Sequence, residues 1–507
     1  MGDRLGKLEG MGAPDTDVLI VGAGPTGLML ADELALAGVR VVIVDRDHER
    51  SRQTKALNLQ PRSAEILDWR GWLDPMLELA FTKLTAGHYA GIPLDYSALD
   101  SRFAYQIGIV QADVERALEA VLAGYGGAPR RGHELIAIEA GISADDDGVV
   151  ALLAADGDEY RCTARYLVGA DGGRSTVRKL VGVPFPGRDG RYTAVVCDIT
   201  LARKPAGVAE SWAMPEFDPT RTDFVFLLPL RAGLYRFLFG SGRDQHVGRD
   251  EEITREEVQR ALRSGFGPDI ELGELRSGSR FTDATRQVES YRSGRVFLAG
   301  DAAHIHSPLG GQGMGLGLQD AFNLGWKLAA AVHGWAPPGL LDSYHRERHP
   351  VGAAVLANTR AQGVLTHPDV DMPALRETMT RLLRLPDANR MLSEDISGLS
   401  IRYELGPGAG RRAPDRELPD GTRLAEHARS GHGLLLDATP DHRFAALATG
   451  WFTRIRYLAT DPTDLDASAT LIRPDGHIVA TTADPGAMTD ALTAWFGSGT
   501  DGVGKSG

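Results

Sequence analysis

The sequence predicts an α/β protein of several domains, and three observations support that prediction. A glycine-rich turn lies between a strand pattern and a helix pattern near the N-terminus, within residues 18–46. Two later strand patterns each end in an acidic, glycine-rich turn, at residues 165–178 and 295–301. Between them, residues 182–280 contain short alternating or apolar runs bounded by proline and glycine, which is typical of an antiparallel sheet.

Composition limits the classes of function. A chain of 507 residues is long enough for two to four domains at about 150 residues each. The net charge of -13 argues against a nucleic-acid partner, because that affinity depends on clustered Lys and Arg. Cys162 and Cys197 are the only cysteines and lie far apart, so we expect two core residues and neither a disulfide framework nor a metal site.

The chain is also expected to be cytoplasmic. No apolar run approaches the ~20 residues that a membrane span needs, and the polar, glycine-rich residues 1–16 lack the apolar segment of a signal peptide. We therefore expect no membrane partner and a disordered leader over residues 1–16.

The first motif reads VLIVGAGPTGLMLADELALAGVRVVIVDR and predicts strand, turn, helix and strand. Gly22 permits the tight turn, Gly24 lets the backbone approach a pyrophosphate, and Gly27 lets the helix pack against the strand. Asp45 ends the second strand and can accept hydrogen bonds from a ribose. This Rossmann-like unit predicts a bound ADP moiety, but the motif alone does not separate NAD from FAD.

The two later turns, in RYLVGADGGRSTVR and RVFLAGD, resemble the DG and GD motifs of FAD-dependent class A monooxygenases. These are aromatic hydroxylases with a p-hydroxybenzoate hydroxylase-like fold. The resemblance implies a Rossmann-like FAD-binding domain over residues 17–181 and 281–400. It also implies a mostly antiparallel β-sheet substrate domain over residues 182–280, which covers the flavin with the substrate in between.

The tail, residues 408–507, resembles the thioredoxin-like α/β domain that is attached to aromatic hydroxylases of polyketide tailoring pathways. It contains no cysteine, which excludes disulfide exchange. We expect it to support the fold or an oligomer such as a homodimer.

Motifs and resemblance together assign a set of cofactor-binding residues. They are Gly22, Ala23, Gly24, Pro25, Thr26, Asp45, Arg46, Lys55, Gln111, Asp171, Asp301, Pro308, Gly311, Gly313, Met314 and Gly315. The resemblance implies that Asp301 contacts the ribityl or pyrophosphate region. It also implies that residues 308–315 lie along the isoalloxazine, with a helix beginning near Leu316 directed at the pyrimidine edge.

Three of these positions carry an open alternative. Gly315 stands where relatives often have Asn. A glycine at this position keeps the backbone contact with the flavin but loses any side-chain contact. Lys55 stands where relatives usually have Arg, and a lysine is a point charge instead of a planar fork. Gln111 resembles a glutamine near the ribityl chain, and a solvated residue in the first turn of a helix is an equal alternative.

No catalytic side chain is assigned, because the flavin carries the chemistry. His88 and Trp212 are candidates for the substrate cavity, although packing in the core or at the surface is the favoured alternative. His304 and His306 follow the GD turn, and we expect them to pack the loop or cap it.

The resemblance implies a monooxygenase in which NAD(P)H reduces FAD and O2 adds at flavin carbon 4a. The resulting peroxide delivers one oxygen atom to a polycyclic aromatic polyketide. No second glycine motif with its strand and helix is present, so NAD(P)H is expected to bind transiently. Baeyer–Villiger insertion, oxidative rearrangement, a plain dehydrogenase and a non-catalytic flavin-binding scaffold are the alternatives.

Overall fold

The computed structural model describes residues 13–50, 55–143, 146–212, 224–231, 233–241, 245, 247–248, 250–366, 370–461 and 468–499. Most of the predicted leader therefore lies outside the described residues, and the first strand begins at Thr16.

The strands of the described residues are β1 (Thr16–Val21), β2 (Val41–Asp45), β3 (Asn58–Leu59), β4 (Thr82–Leu84), β5 (Ala86–Tyr89), β6 (Ile92–Asp95), β7 (Gln106–Gly108), β8 (Arg130–Arg131), β9 (His133–Ala140), β10 (Val149–Ala155), β11 (Asp158–Gly169), β12 (Gly187–Arg188), β13 (Thr193–Arg203), β14 (Phe224–Arg231), β15 (Leu234–Gly240), β16 (Glu271–Thr282), β17 (Thr285–Gln287), β18 (Arg292–Ser293), β19 (Val296–Leu298), β20 (His304–Ile305), β21 (Gly433–Asp437), β22 (Ile455–Ala459), β23 (Ala469–Ile472) and β24 (Ile478–Thr482).

The helices of the described residues are α1 (Pro25–Leu36), α2 (Pro61–Arg70), α3 (Asp74–Leu79), α4 (Gln111–Gly124), α5 (Thr176–Leu180), α6 (Arg255–Phe266), α7 (Gly313–Val332), α8 (Leu340–Leu365), α9 (Met372–Leu382), α10 (Pro386–Ser397), α11 (Leu424–His427), α12 (Phe444–Ala448) and α13 (Pro485–Phe496). Among the described residues, no helix is long and apolar enough to cross a membrane.

The largest sheet contains the predicted dinucleotide-binding unit. Its strand order is β18-β19-β11-β1-β2-β8, with β9 and β10 attached beside β11. The central pairs are parallel, and their register aligns Val21 with Gly169 and Gly169 with Leu298. Because parallel strands place their carboxyl ends at one edge, the three glycine-rich turns that follow these strands lie side by side.

A second sheet has the order β14-β15-β13-β16 and is antiparallel throughout. Phe237 and Ile199 from the sheet and Leu262 from α6 are fully buried in its core. This confirms the mostly antiparallel sheet that the alternating pattern predicts. The sheet runs from Thr193 to Thr282, and the exact division between domains stays a prediction.

The C-terminal sheet has the order β22-β21-β23-β24, with one parallel pair and two antiparallel pairs. Helix α13 follows the last strand of this sheet. The thioredoxin-like classification of this region stays a prediction.

Buried ion pairs attach this C-terminal region to the rest of the chain. Arg473, which follows β23, donates to both oxygens of Glu347 on α8, at 2.7 and 2.8 Å. Arg70 on α2 pairs with Glu33 on α1 and donates to the carbonyl of Ala428 at 3.0 Å. Such pairs offset the cost of burying charge only while both partners are present. The C-terminal region is therefore rigidly tied to α1, α2 and α8.

Asp32 on α1 is a buried carboxyl group of a different kind. It is fully buried, and among the described residues neither of its side-chain oxygens has a hydrogen-bond partner. Burial, reinforced by the charge of Glu33, raises the pKa of Asp32 well above its usual range. The carboxyl group is therefore neutral in the folded protein at pH values where the unfolded chain has lost the proton.

We expect Asp32→Asn to stabilise the protein increasingly as the pH rises. Because the pKa of Asp32 is raised in the folded state, ionisation of this group does not reduce the free energy of unfolding below the pKa of the unfolded chain, about 3.9. Above that pH, the free energy of unfolding falls as the pH rises. The variant cannot ionise, so its melting temperature should match that of the wild type near pH 4. It should exceed it at pH 8 by the equivalent of about 1–3 kcal/mol. An equal difference at both pH values would contradict this explanation.

Candidate active site

The three glycine-rich turns touch one another through their backbones. Gly22 has φ +106°, and a Cβ there would lie 2.4 Å from the carbonyl oxygen of Ala170 in the DG turn. A Cβ at Gly300, where φ is +59°, would lie 2.6 Å from Oγ1 of Thr26. A Cβ at Gly317 would lie 3.4 Å from Cα of Gly300. Segments almost 300 residues apart in sequence (Gly22 and Gly317) thus form one surface.

Gly24 differs from these close-packed glycines. Its φ is -81°, which any residue can adopt, and a Cβ there would meet no chain atom within 4 Å. The fold itself therefore does not require glycine at this position. The open space lies at the N-terminus of α1, where unpaired N–H groups and the helix dipole favour an anion. This room for a diphosphate is one respect in which the chain fits FAD.

Asp45 and Arg46 lie beside this turn. The carboxylate of Asp45 accepts a hydrogen bond from the N–H of Ala23 at 2.7 Å and another from Asp47 at 3.0 Å. Asp45 is half-buried, and Arg46 is exposed. The acid at the end of β2 is thus held directly against the glycine motif, as the sequence predicts.

The two other acids of the motifs have different surroundings. Asp171 accepts hydrogen bonds from the N–H groups of Thr176 at 2.6 Å and Val177 at 3.1 Å, so it caps the start of α5. Burial raises the pKa of Asp171, and these hydrogen bonds partly oppose the change. Asp301 is exposed at the same edge. Asp301 is therefore open to a ligand, whereas Asp171 is engaged by its own chain.

The loop at residues 308–312 contacts the amide side chains of Gln60 and Asn58. Nε2 of Gln60 donates to the carbonyl of Gly310 at 2.9 Å, and the hydroxyl of Tyr96 donates to Oε1 of Gln60 at 3.2 Å. Gly311 has φ +62°, and a Cβ there would lie 2.7 Å from Oδ1 of Asn58. The buried Nε2 of Gln312 has no hydrogen-bond partner among the described residues. A polar ligand group beside the loop would satisfy it.

Helix α7 follows this loop and begins at Gly313, so the start near Leu316 expected from the sequence was wrong. Three glycines lie in its first turns, where Arg348 donates to the carbonyl of Leu316 at 3.3 Å. A Cβ at Gly315 would lie 2.8 Å from Oγ of Ser63 on α2. Helix α2 therefore lies too close to this position for a larger residue than glycine.

Asp320 is the residue that joins α7 to the GD turn, and sequence reasoning missed it. It is fully buried and accepts hydrogen bonds from the N–H of Gly300 at 3.1 Å, Nε2 of His304 at 2.7 Å and Nε of Arg348 at 2.7 Å. Burial would raise the pKa of Asp320, but Arg348 and His304 outweigh it and lower that pKa. One signal was available: Asp320 is the single acid of a largely apolar helix and lies seven residues after Gly313.

Gln111 and Lys55 lie where the cofactor domain meets the antiparallel sheet. Gln111 begins α4, and its Oε1 accepts from the N–H of Ala56 at 3.2 Å. The carbonyl of Lys55 accepts from Arg236 on β15 at 3.3 Å, and Arg236 also pairs with Asp198 on β13. The side chain of Lys55 is exposed, and the backbone of residues 55–56 is hydrogen-bonded to Gln111 on one side and to Arg236 of the antiparallel sheet on the other.

The two candidate substrate residues, His88 and Trp212, are both half-buried. Nδ1 of His88 on β5 accepts from the N–H of Gly91 at 3.2 Å, and burial lowers the pKa of His88 to about 4. The ring is therefore neutral at pH 7, with its proton on Nε2. The ring of Trp212 packs edge-on against Phe81, with centroids 6.1 Å apart. Its indole N–H has no hydrogen-bond partner among the described residues.

Comparison with known proteins identifies the family. Residues 15–359 match the family described as FAD binding domain, and residues 406–499 match the family described as aromatic-ring hydroxylase, C-terminal. The chain belongs to the FAD-dependent aromatic-ring monooxygenases. The predicted family, its FAD cofactor and the monooxygenase activity are thereby confirmed, and NAD(P)H is the general reductant of this class.

Individual members of this monooxygenase family match over nearly the whole chain. Rifampicin monooxygenase of Streptomyces venezuelae is 43% identical over 492 residues, covering 96% of this chain and 100% of the relative. The 12-dehydrotetracycline 5-monooxygenase/anhydrotetracycline 6-monooxygenase of Streptomyces rimosus is 42% identical over 501 residues, covering 95% and 99%. Among solved structures, anhydrotetracycline hydroxylase from Streptomyces rimosus superposes with a TM-score of 0.87 at 40% identity, covering 96% and 100%.

We expect Asp320→Asn to weaken both the fold and FAD binding. The amide keeps the shape but leaves Arg348 and His304 without their buried anion, a loss of about 3–5 kcal/mol for a pair of this kind. Thermal unfolding and the FAD content after gel filtration measure the two effects. Asp342→Asn is the control, because its pair with Arg292 is exposed and is worth about 0–1 kcal/mol. Equal behaviour of the two variants would contradict the role of Asp320.

Proposed function

We propose that this monooxygenase inserts one oxygen atom from O2 into a polycyclic aromatic polyketide, with NAD(P)H as the reductant. The observation that carries the proposal is the contact of Gly22 with Ala170 and of Thr26 with Gly300, which brings together the ends of three strands that are distant in sequence. The relatives support the substrate class, because two of them are named for rifampicin and anhydrotetracycline. Both of those compounds are large polycyclic molecules.

The cofactor-binding residues follow from the geometry around that surface. The N-terminus of α1 and the open face of Gly24 would hold the diphosphate, and Asp45 would accept hydrogen bonds from the adenosine ribose. Asp301 would bind the ribityl chain. The N–H groups of Met314 and Gly315 at the start of α7 would face the pyrimidine edge of the flavin. When bound, FAD supplies the reaction with NAD(P)H and O2.

The chain itself contributes orientation and the exclusion of water. The neutral His88 can donate from Nε2 to a carbonyl or phenolic oxygen of the substrate, and Trp212 offers part of a flat apolar ring. The antiparallel sheet β13–β16 covers the cavity and keeps water away from the reacting atoms. The N-terminus of α7 stabilises negative charge on the ring, since its partial positive charge is fixed in place.

Three further expectations stay predictions under this proposal. They are the homodimer, the cytoplasmic location and the contacts of Lys55 and Gln111 with the flavin. Gln111 fixes the backbone at Ala56, which favours a role in shaping the cofactor site over a merely solvated position.

Isotope labelling tests the proposed reaction. With NAD(P)H, 18O2 and a panel of polycyclic phenols, we expect a product that contains one labelled oxygen atom and an unbroken ring system. A labelled, ring-expanded or cleaved product would favour Baeyer–Villiger chemistry on the same scaffold. Oxidation of the substrate without uptake of oxygen would show a dehydrogenase. Failure of NAD(P)H to reduce bound FAD, with or without substrate, would leave a non-catalytic scaffold.

Gly24→Ala tests the cofactor site separately from the fold. The added methyl group meets no chain atom within 4 Å, so the apoprotein should melt at an unchanged temperature. If the diphosphate approaches this backbone, the variant should bind FAD at least about tenfold more weakly, which is about 1.4 kcal/mol. Gly363→Ala on α8 is the control, because its Cβ would also meet nothing within 4 Å. FAD affinity by fluorescence titration that is equal in both variants would place the diphosphate elsewhere.

A further inference from the structure

His306 lies between β20 and the loop at residues 308–312, and one hydrogen bond fixes its tautomer. Nδ1 is 2.7 Å from the carbonyl oxygen of Ser307. A carbonyl oxygen can only accept, so Nδ1 carries the proton. The neutral ring therefore has its lone pair on Nε2.

The lone pair of His306 faces the start of α7. A Cβ at Gly313, the first residue of that helix, would have Nε2 of His306 at 3.7 Å and Cε1 at 3.8 Å as its nearest neighbours. No other chain atom lies within 4 Å of that Cβ position, and His306 as a residue is half-buried. The Nε2 edge of His306 thus lies beside the N-terminus of α7.

The surroundings of His306, burial above all, keep its pKa below the usual value until a negative charge arrives. Burial lowers the pKa of His306 and His304 on β20 lowers it further, whereas the hydrogen bond to the Ser307 carbonyl and the charge of Asp301 oppose this change. Arg286 on β17 lies opposite Ile305, but its guanidinium is engaged by Asp189 and by the carbonyl of Phe185. An anion within about 4–6 Å raises the pKa of an imidazole. The pyrimidine edge of the flavin would bring such an anion to the start of α7.

We propose that His306 is the site where the protein takes up a proton when its cofactor is reduced. This inference rests on the proposed function, specifically on the flavin ring lying at the start of α7. A hydride from NAD(P)H brings two electrons and one proton to the ring, which gains a negative charge. A second proton comes from water and binds Nε2 of His306. The protonated imidazole and the N-terminus of α7 then balance the charge together.

The pH dependence of the midpoint potential of bound FAD tests this proposal. Each proton that is taken up with two electrons changes the equilibrium constant tenfold per pH unit, which is about 30 mV. Between pH 7 and 8.5, we expect the wild-type potential to fall by about 60 mV per pH unit, for one proton on the ring and one on His306. His306→Asn keeps a donor for the Ser307 carbonyl but cannot titrate. Its potential should fall by about 30 mV per pH unit.

His306→Gln is a second variant that should give the same reduced slope, and it keeps a polar group near the position of Nε2. His442→Asn is the matched control, because His442 is an exposed residue of the C-terminal region and should keep the wild-type slope. Equal slopes in the wild type and both His306 variants would overturn the inference but leave the proposed function intact. Failure of the wild-type protein to bind FAD would overturn both.

Discussion

The buried carboxylate of Asp320 is the contact on which the geometry of the site depends. It holds the N–H of Gly300 from one motif, the ring of His304 that follows it, and Arg348 from α8. Arg348 also donates to the carbonyl of Leu316 at 3.3 Å, in the first turns of α7. One anion therefore sets the distance between the GD turn and the helix N-terminus. The cost of burying it is offset only because three donors surround it.

A second buried ion network holds the other half of α7. Lys327 and Asn323 on α7 both donate to Oε2 of Glu347 on α8, at 2.9 and 2.6 Å, and Arg473 reaches the same carboxylate. Burial lowers the pKa of Lys327 to about 8, even though Glu347 opposes that change. Pairing with Arg473, with a contribution from Lys327, lowers the pKa of Glu347 to about 2, against the effect of burial. Through this network the C-terminal region, which lacks cysteine, acts on α7 by packing and charge.

Local patterns were enough to predict the strands of the three glycine-rich motifs, their turns and their order. The glycine motif, the DG turn and the GD turn each depend on residues that are close in sequence, and parallel pairing brings their ends together without further information. The alternating runs of β14 and β15 likewise predicted an antiparallel sheet. The partners of Asp320, and the contacts of Gln60 and Asn58 with the loop at residues 308–312, could not be predicted in this way. Arg348 lies 28 residues from Asp320, and Gln60 lies 250 residues from Gly310, so only the folded chain pairs them.

The function of this protein depends on FAD lying against bare backbone where the three strand ends meet. A crystal structure of the protein with FAD tests it most directly. The account predicts the diphosphate at the N-terminus of α1 beside Gly24, with the edge of the ring against the N–H groups of Met314 and Gly315. Colourless crystals after soaking with FAD, or a ring bound away from residues 308–315, would contradict it.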